Sequence, residues 1–85
     1  MAPLMDPEDL TPALRVLRLE AGGDWEAAHD LAQRLPDPDG ARLHAFLHRV
    51  EGDLGNARYW YRRAGVPEFK GSLDAERLDL ERQFG

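Results

Sequence analysis

Two histidines one helical turn apart are the residues of this chain best placed for chemistry. His44 and His48 are four positions apart, so both imidazoles project from the same face of a helix. Glu51 follows three positions later and adds a carboxylate to that face. Imidazole and carboxylate groups are ligands of divalent metal ions. The spacing therefore predicts a candidate metal site formed by His44, His48 and Glu51.

A packing role competes with the metal role for these histidines. Ala45 stands directly after the first histidine, where the zinc-protease motif carries the glutamate that acts as general base. His29 would supply a third nitrogen ligand only if its helix lay beside the helix of His44. The pattern favours a hydrogen-bonded packing network, with a polar ligand pocket or a metal site as alternatives. We therefore expect no cofactor, and a divalent metal is the alternative.

The next helix offers polar partners for the two imidazoles. A buried polar group without a partner costs about 1–3 kcal/mol, so histidines that face a neighbouring helix need hydrogen bonds. Arg58 and Tyr61 lie in that helix, and Asp53 precedes it as its cap. We expect a polar or ligand-binding cluster with six members: His44, His48, Glu51, Asp53, Arg58 and Tyr61.

Three consecutive aromatic residues interrupt a run of arginines in the same region. Successive residues of a helix point about 100° apart, so Tyr59, Trp60 and Tyr61 cannot share one face. We expect Tyr61 in the core, Trp60 half-buried and Tyr59 exposed. The neighbouring basic residues form either a local basic patch or internal ion pairs with Glu51 and Asp53, and the ion pairs are the simpler interpretation; the residues are Arg49, Arg58, Arg62 and Arg63.

Composition limits the classes of function open to the chain. Its 85 residues carry a net charge of −5 and no cysteine, which excludes disulfides and thiolate metal sites and disfavours nucleic acid as a partner. Ser72 and Thr11 are the only hydroxyl residues besides tyrosine, so the chain offers few nucleophiles for covalent hydrolytic catalysis and we do not expect an enzyme.

No apolar run reaches the roughly 20 residues of a membrane span, and no secretion signal is visible. We expect a cytoplasmic protein without a membrane partner.

Five amphipathic helices account for the chain after a loose arm at residues 1–8. The first helix is predicted to start near Glu8 and Asp9. Its predicted apolar face consists of Leu10, Leu14, Leu17 and Ala21. Asp24 is the predicted cap of the second helix, which runs to Leu35. The third spans about 40–51 and the fourth starts at Asp53 or Leu54 and ends at Ala64, with Leu54, Ala57, Tyr61 and Ala64 inward. A linker at 66–71 leads to a final helix capped by Ser72. Residues 9–85 form a single all-α domain.

A short internal repeat relates the first two helices to the next two. The segment Gly23-Asp24-Trp25-Glu26-Ala27-Ala28 returns 29 positions later as Gly52-Asp53-Leu54-Gly55-Asn56-Ala57. Glycine provides the turn, aspartate caps the next helix, and alanine lets helices approach closely. This pattern resembles a tetratricopeptide repeat, and the resemblance covers about residues 10–67. It implies antiparallel helix hairpins stacked side by side, with the last helix capping the stack.

The resemblance and the residues together lead to one expected function and one alternative. Residues 44–65 are also similar to a small uncharacterised bacterial and fungal family with a His-x-x-x-His-Arg-x-Glu-Gly-Asp segment, which implies no activity. Tetratricopeptide-like hairpins imply a small protein-interaction or scaffold module that binds a protein or peptide, or a second copy of itself as a homodimer. The alternative is a metal- or small-molecule-binding protein that uses His44, His48 and Glu51.

Overall fold

The computed structural model describes residues 10–85 and contains five helices within them. These are α1 (Pro12–Ala21), α2 (Trp25–Gln33), α3 (Asp39–Glu51), α4 (Leu54–Ala64) and α5 (Leu73–Phe84). No strand occurs within the described residues, so the all-α prediction is confirmed. None of the described helices has the length and apolar character needed to cross a bilayer.

Helix α1 begins later than its sequence suggested. The start predicted near Glu8 and Asp9 is wrong, because the described residues Leu10 and Thr11 are not helical. Thr11 is the N-cap, and its hydroxyl oxygen accepts a hydrogen bond from the backbone N–H of Leu14 at 3.2 Å. Pro12 then occupies the first helical position, where its missing N–H costs nothing. The predicted arm at 1–8 lies outside the described residues.

The two copies of the Gly-Asp turn have the same backbone structure. Gly23 and Gly52 have φ angles of 89° and 86°, in the left-handed region that glycine adopts without strain. Asp24 and Asp53 donate their backbone N–H to Leu19 and His48, each at 2.9 Å. Each aspartate also caps the helix that follows: its carboxylate accepts from the backbone N–H three positions on. The 29-residue repeat is therefore a repeat of local structure, and the predicted caps are confirmed.

Helix α3 is the centre of the molecule and packs against the other four helices. Every residue from 40 to 48 is buried, so α3 has no solvent-exposed face along most of its length. Gly40 allows this helix to start close to the end of α2, since a Cβ atom there would lie 2.4 Å from the carbonyl oxygen of Leu35. The largest buried cluster joins α1, α2, α3 and α5 through Val16, Leu17, Ala28, Ala32, Leu43, Phe46, Leu47 and Leu80.

Two of the predicted apolar faces need correction. In α1 the buried face consists of Ala13, Val16, Leu17 and Glu20, whereas Ala21 is exposed. Leu10, which was predicted as part of this face, lies before the start of the helix. In α4 only Ala57 and Tyr61 are buried, and Leu54 is 55% exposed. Leu54 stays exposed because, of the described helices, only α3 packs extensively against α4.

Helix α5 is fixed by two adjacent charged residues that are oriented towards the core. Glu76 is fully buried and contacts the guanidinium groups of Arg42 and Arg49 at 2.8 and 2.6 Å. Its carboxylate also accepts a hydrogen bond from the Tyr61 hydroxyl at 2.5 Å. The next residue, Arg77, forms a two-pronged ion pair with buried Glu20 at 2.7 and 2.9 Å. These bonds place α5 across α1 and α3.

Candidate functional site

All three histidines of the chain lie together between α2 and α3. The ring centroids of His29 and His44 are 4.9 Å apart, those of His29 and His48 are 5.4 Å apart, and those of His44 and His48 are 6.1 Å apart. His44 and His48 are buried, whereas His29 is half-buried at the edge. Helix α2 lies beside α3, which is the condition under which His29 could act together with His44 and His48. We refer to these three residues as the histidine cluster.

Two tryptophans enclose the histidine cluster from opposite sides. Trp60 of α4 stacks on His44 with ring centroids 4.1 Å apart, and Trp25 of α2 stacks on His29 at 4.8 Å. The indole N–H of Trp25 donates to the carbonyl oxygen of Leu47 at 2.7 Å. Stacked rings of this kind add packing energy beyond the area that they bury. The cluster therefore joins three helices through aromatic contacts.

Local hydrogen bonds satisfy the buried imidazoles. His44 Nδ1 donates to the carbonyl oxygen of Gly40 at 2.9 Å, and His48 Nδ1 donates to the Glu51 carboxylate at 2.7 Å. His29 Nδ1 lies 3.0 Å from the side-chain nitrogen of Gln33. Each partner is on the same helix as its histidine, so Arg58 and Tyr61 are not needed for this purpose. The geometry is that of the hydrogen-bonded packing network that the pattern favoured.

The environment of the cluster disfavours protonation of two of its members. Burial, followed by the charge of His48, lowers the pKa of His29 below 6.5. Burial also lowers the pKa of His44, and this effect outweighs the hydrogen bond to Gly40, which acts in the opposite direction. Asp30 and Glu51 partly offset the shift of His29, and Asp37 partly offsets that of His44. At neutral pH both rings are therefore uncharged.

One set of metal-ligating side chains converges among the described residues. His48, Glu51 and Asp53 each offer a ligand atom, and these atoms all lie within 4.8 Å of one another. His44, which the spacing grouped with His48 and Glu51, is not part of this set. Its Nδ1 is engaged with Gly40 and its ring stacks on Trp60. Asp53, predicted as a polar neighbour and helix cap, takes its place in the set.

The remaining two members of the predicted polar cluster lie elsewhere. Tyr61 is buried, and its hydroxyl donates to Glu76 of α5 rather than to a histidine. Burial and the Glu76 carboxylate raise the pKa of Tyr61 to about 12, so the hydroxyl stays protonated. Arg58 is exposed on the outer face of α4. The positions expected for Trp60 and Tyr59 are confirmed, since the first is half-buried and the second is 44% exposed.

The arginines do not pair with Glu51 and Asp53, so that expectation is wrong. Arg49 instead reaches Glu76 on α5, and Arg63 pairs with Asp37 at 2.7 Å. Both partners lie at least 26 positions away, which short-range spacing cannot predict. Arg58 and Arg62 form no ion pair with any other residue of the described part of the chain.

A shallow groove runs between α4 and the linker that follows it. Its two sections have volumes of about 390 and 210 Å³ and share part of their lining. We call this surface the α4 groove; its lining includes Leu54, Arg58, Arg62, Val66, Glu68 and Lys70. Leu54 and Val66 are two of the four large exposed hydrophobic residues in the described structure. The groove therefore combines uncovered apolar side chains with basic ones.

Sequence reasoning missed the charged residues that hold α5 in place. Glu76 and Glu20 both fall within the apolar stripes of their helices, between residues that contact the core. A carboxylate in such a stripe signals a buried ion pair, because an unpaired charge is too costly to bury. That signal was present, but it does not identify Arg42, Arg49 or Arg77 as the partners.

The histidine cluster predicts a loss of stability on mild acidification. Folded-state pKa values below 6.5 mean that the unfolded chain binds more protons, so the free energy of unfolding falls as pH drops below about 6.5. Urea unfolding at pH 7.5, 6.5 and 5.5 measures this dependence. The decrease should be smaller in His29→Gln, which removes one titrating ring from the edge of the cluster. A stability that rises between pH 7.5 and 5.5 would contradict the assignment.

Comparison of the chain with models of known protein families gives no match, and neither do comparisons with curated proteins and with solved structures. The resemblance to tetratricopeptide repeats therefore remains a prediction.

Proposed function

We propose that this protein is a small interaction module that binds a segment of another protein through the α4 groove. The observation that carries the proposal is the composition of the outer face of α4. This face leaves Leu54 55% exposed and Val66, just beyond the helix, 39% exposed. Both line the groove together with Arg58, Arg62 and Lys70, which form no ion pair within the described residues. Apolar side chains clustered on an exposed surface are characteristic of interaction sites.

The arrangement of the helices supports the same proposal. Helix α1 packs against α2, α3 packs against α4, and α2 packs against α3, which is the order of contacts expected of two stacked helix hairpins. Tetratricopeptide-like hairpins bind partners along their exposed helix faces, and here α5 already lies across α1 and α3. The outer face of α4 is then a helix face available to a partner. Neither the histidine cluster nor the scarce hydroxyl residues support a catalytic alternative.

A matched pair of surface substitutions tests this function. We expect selection from a random peptide library to enrich peptides that bind the native protein and lose at least tenfold in affinity for Leu54→Glu. Leu78→Glu should keep the affinity, because Leu78 is 49% exposed on α5, away from the groove. Both substitutions should change stability by no more than about 0.5 kcal/mol, since they alter exposed positions. A selection without enriched peptides, or peptides that bind both variants equally, would refute the proposal.

A second candidate function is the binding of a divalent metal ion at the turn between α3 and α4. The ligand atoms of His48, Glu51 and Asp53 converge within 4.8 Å. Glu51 is the last residue of α3, where the negative end of the helix dipole disfavours a carboxylate unless a cation is near. Asp53 adds a second negative charge, and the only ion-pair partner of Glu51 in the described structure is His48. Imidazole with two carboxylates suits Zn²⁺ or a similar ion.

The other copy of the turn provides a control for this site. The turn at Gly23 and Asp24 has the same backbone but carries Leu19 and Gly22 where the second turn carries His48 and Glu51. The fold therefore does not require an imidazole and a glutamate at a turn of this kind. Their presence in the second turn alone is consistent with a ligand-binding role.

A titration with Zn²⁺ decides whether this site binds metal. We expect Zn²⁺ to raise the melting temperature of chelator-treated protein at a stoichiometry of one, because a ligand of the folded state stabilises it. Asp53→Asn keeps a good helix cap but removes the charge, and should weaken Zn²⁺ binding at least tenfold. Asp24→Asn should leave binding unchanged. Equal binding by both variants, or no shift in the native protein, would rule the site out.

A further inference from the structure

The exposed face of α4 corresponds to the face of α2 that another helix covers. The 29-residue repeat aligns Leu54 with Trp25 and Arg58 with His29. Trp25 and His29 both contact α3: the indole N–H donates to the carbonyl oxygen of Leu47, and the His29 ring lies 4.9 Å from that of His44. In the first hairpin this face is therefore a docking surface for a helix. The second hairpin presents the same face to solvent.

No helix within residues 10–85 covers the second docking surface. After α4 ends at Ala64, residues 65–72 are not helical. Helix α5 then packs against α1 and α3 rather than beside α4. Only Phe69 of the linker covers part of the face, where it packs against Ala57 and Tyr61. The part of the face formed by Leu54 and Arg58 remains uncovered.

The charges around the uncovered face define the kind of partner that fits. Residues 54–71 contain four basic side chains and only one acidic one, although the whole chain has a net charge of −5. Arg63 is paired with Asp37 on the far side, whereas Arg58, Arg62 and Lys70 line the groove and have no ion pair within the described residues. Three uncompensated cations beside exposed apolar groups complement an acidic amphipathic segment.

We infer that the α4 groove docks an amphipathic helix of a partner protein whose apolar stripe is flanked by acidic residues. The repeat supplies the argument for a helix, since the equivalent face of α2 receives α3. The unpaired cations supply the argument for acidic residues. Leu54 and Val66 would contact the apolar stripe, and Arg58, Arg62 and Lys70 would pair with its carboxylates. This inference rests on the proposed function and specifies the partner.

Single-stranded nucleic acid fits the same surface less well than an acidic helix. The Tyr61 ring is buried and its hydroxyl is bonded to Glu76, so it is not free to stack on a base. Apolar Leu54 and Val66 offer nothing to a sugar-phosphate backbone. A polypeptide partner satisfies both the apolar and the charged parts of the groove.

A display library of helix-forming peptides tests the inference on the full chain. One face of the peptides is randomised with equal shares of Leu, Ala, Glu, Gln and Lys, so the input has no bias towards either charge. We expect the selected peptides to contain Leu at helical spacing and several-fold more Glu than Lys. An enriched peptide, labelled for fluorescence anisotropy, should bind more weakly when salt rises from about 50 to about 300 mM.

Matched arginine variants locate the binding surface. Arg58→Gln/Arg62→Gln should weaken the enriched peptide at least tenfold, whereas Arg18→Gln/Arg34→Gln removes two exposed arginines from α1 and α2 and should change the affinity less than twofold. Amide chemical shifts of the native protein should move in α4 and residues 66–70 on addition of the peptide. Circular dichroism confirms that both variants keep the helix content of the native protein.

Several outcomes would overturn the inference, and they can be told apart from a failure of the proposed function. Peptides that shift amides of α4 but show no excess of Glu leave the proposed function and remove the acidic helix as the partner. Peptides that shift amides of α1 and α5 instead remove both. A library without enriched peptides removes both. Tighter binding of a single-stranded oligonucleotide than of any peptide also overturns the inference. A dimer that Arg58→Gln/Arg62→Gln dissociates would make a second copy of the chain the occupant.

Discussion

The buried carboxylate of Glu76 is the interaction on which the arrangement of the helices depends. A carboxylate that is removed from water loses a large hydration energy and needs compensating charges. Arg42 and Arg49 of α3 and the hydroxyl of Tyr61 in α4 provide that compensation. The Arg42 contact is an ion pair without hydrogen-bond geometry, which leaves its guanidinium dependent on the charge of Glu76. One side chain thus joins three helices.

The ion pairs of α5 also explain why α5 does not cover the outer face of α4. Glu20 and Arg49 occupy equivalent positions in the 29-residue repeat, and they bind the consecutive residues Arg77 and Glu76 of α5. The negative charge of Glu20 and the positive charge of Arg49 match the opposite charges of the two α5 residues. Helix α5 therefore has one favourable position across α1 and α3. Arg49 also donates to the carbonyl oxygen of Gly71, which fixes the chain just before α5 begins. Helix α5 is therefore held against α1 and α3 and does not pack beside α4.

The sequence predicted those features that are set by neighbours along the chain. Asp24, Asp53 and Ser72 cap their helices as expected, because a cap depends on residues only three positions away. The different environments of Tyr59, Trp60 and Tyr61 followed from helix geometry alone. The start of α1 was misplaced because two acidic residues before Pro12 looked like a first turn. In the structure the cap at Thr11 defines the start instead.

The features that the sequence did not predict depend on contacts between distant helices. Leu54 was assigned to the interior because its spacing from Ala57 and Tyr61 is helical. Its exposure follows because no second helix of the described residues packs extensively against α4 besides α3. The ion-pair partners of Arg49 and Arg63 are distant in sequence, and nothing local indicates them. Only part of the predicted polar cluster lies together, for the same reason. His48, Glu51 and Asp53 are close in sequence and their ligand atoms converge, whereas the Tyr61 hydroxyl bonds to Glu76 of α5.

The measurement that tests this account most directly is the urea unfolding of Glu76→Gln at pH 7, compared with Glu81→Gln. Both substitutions remove one carboxylate charge from α5, but Glu76 is fully buried and Glu81 is exposed. We predict that Glu76→Gln lowers the free energy of unfolding by about 3–5 kcal/mol, because it leaves the buried Arg42 charge uncompensated. Glu81→Gln should change it by no more than about 0.5 kcal/mol. Equal effects of the two substitutions would contradict the central role of Glu76.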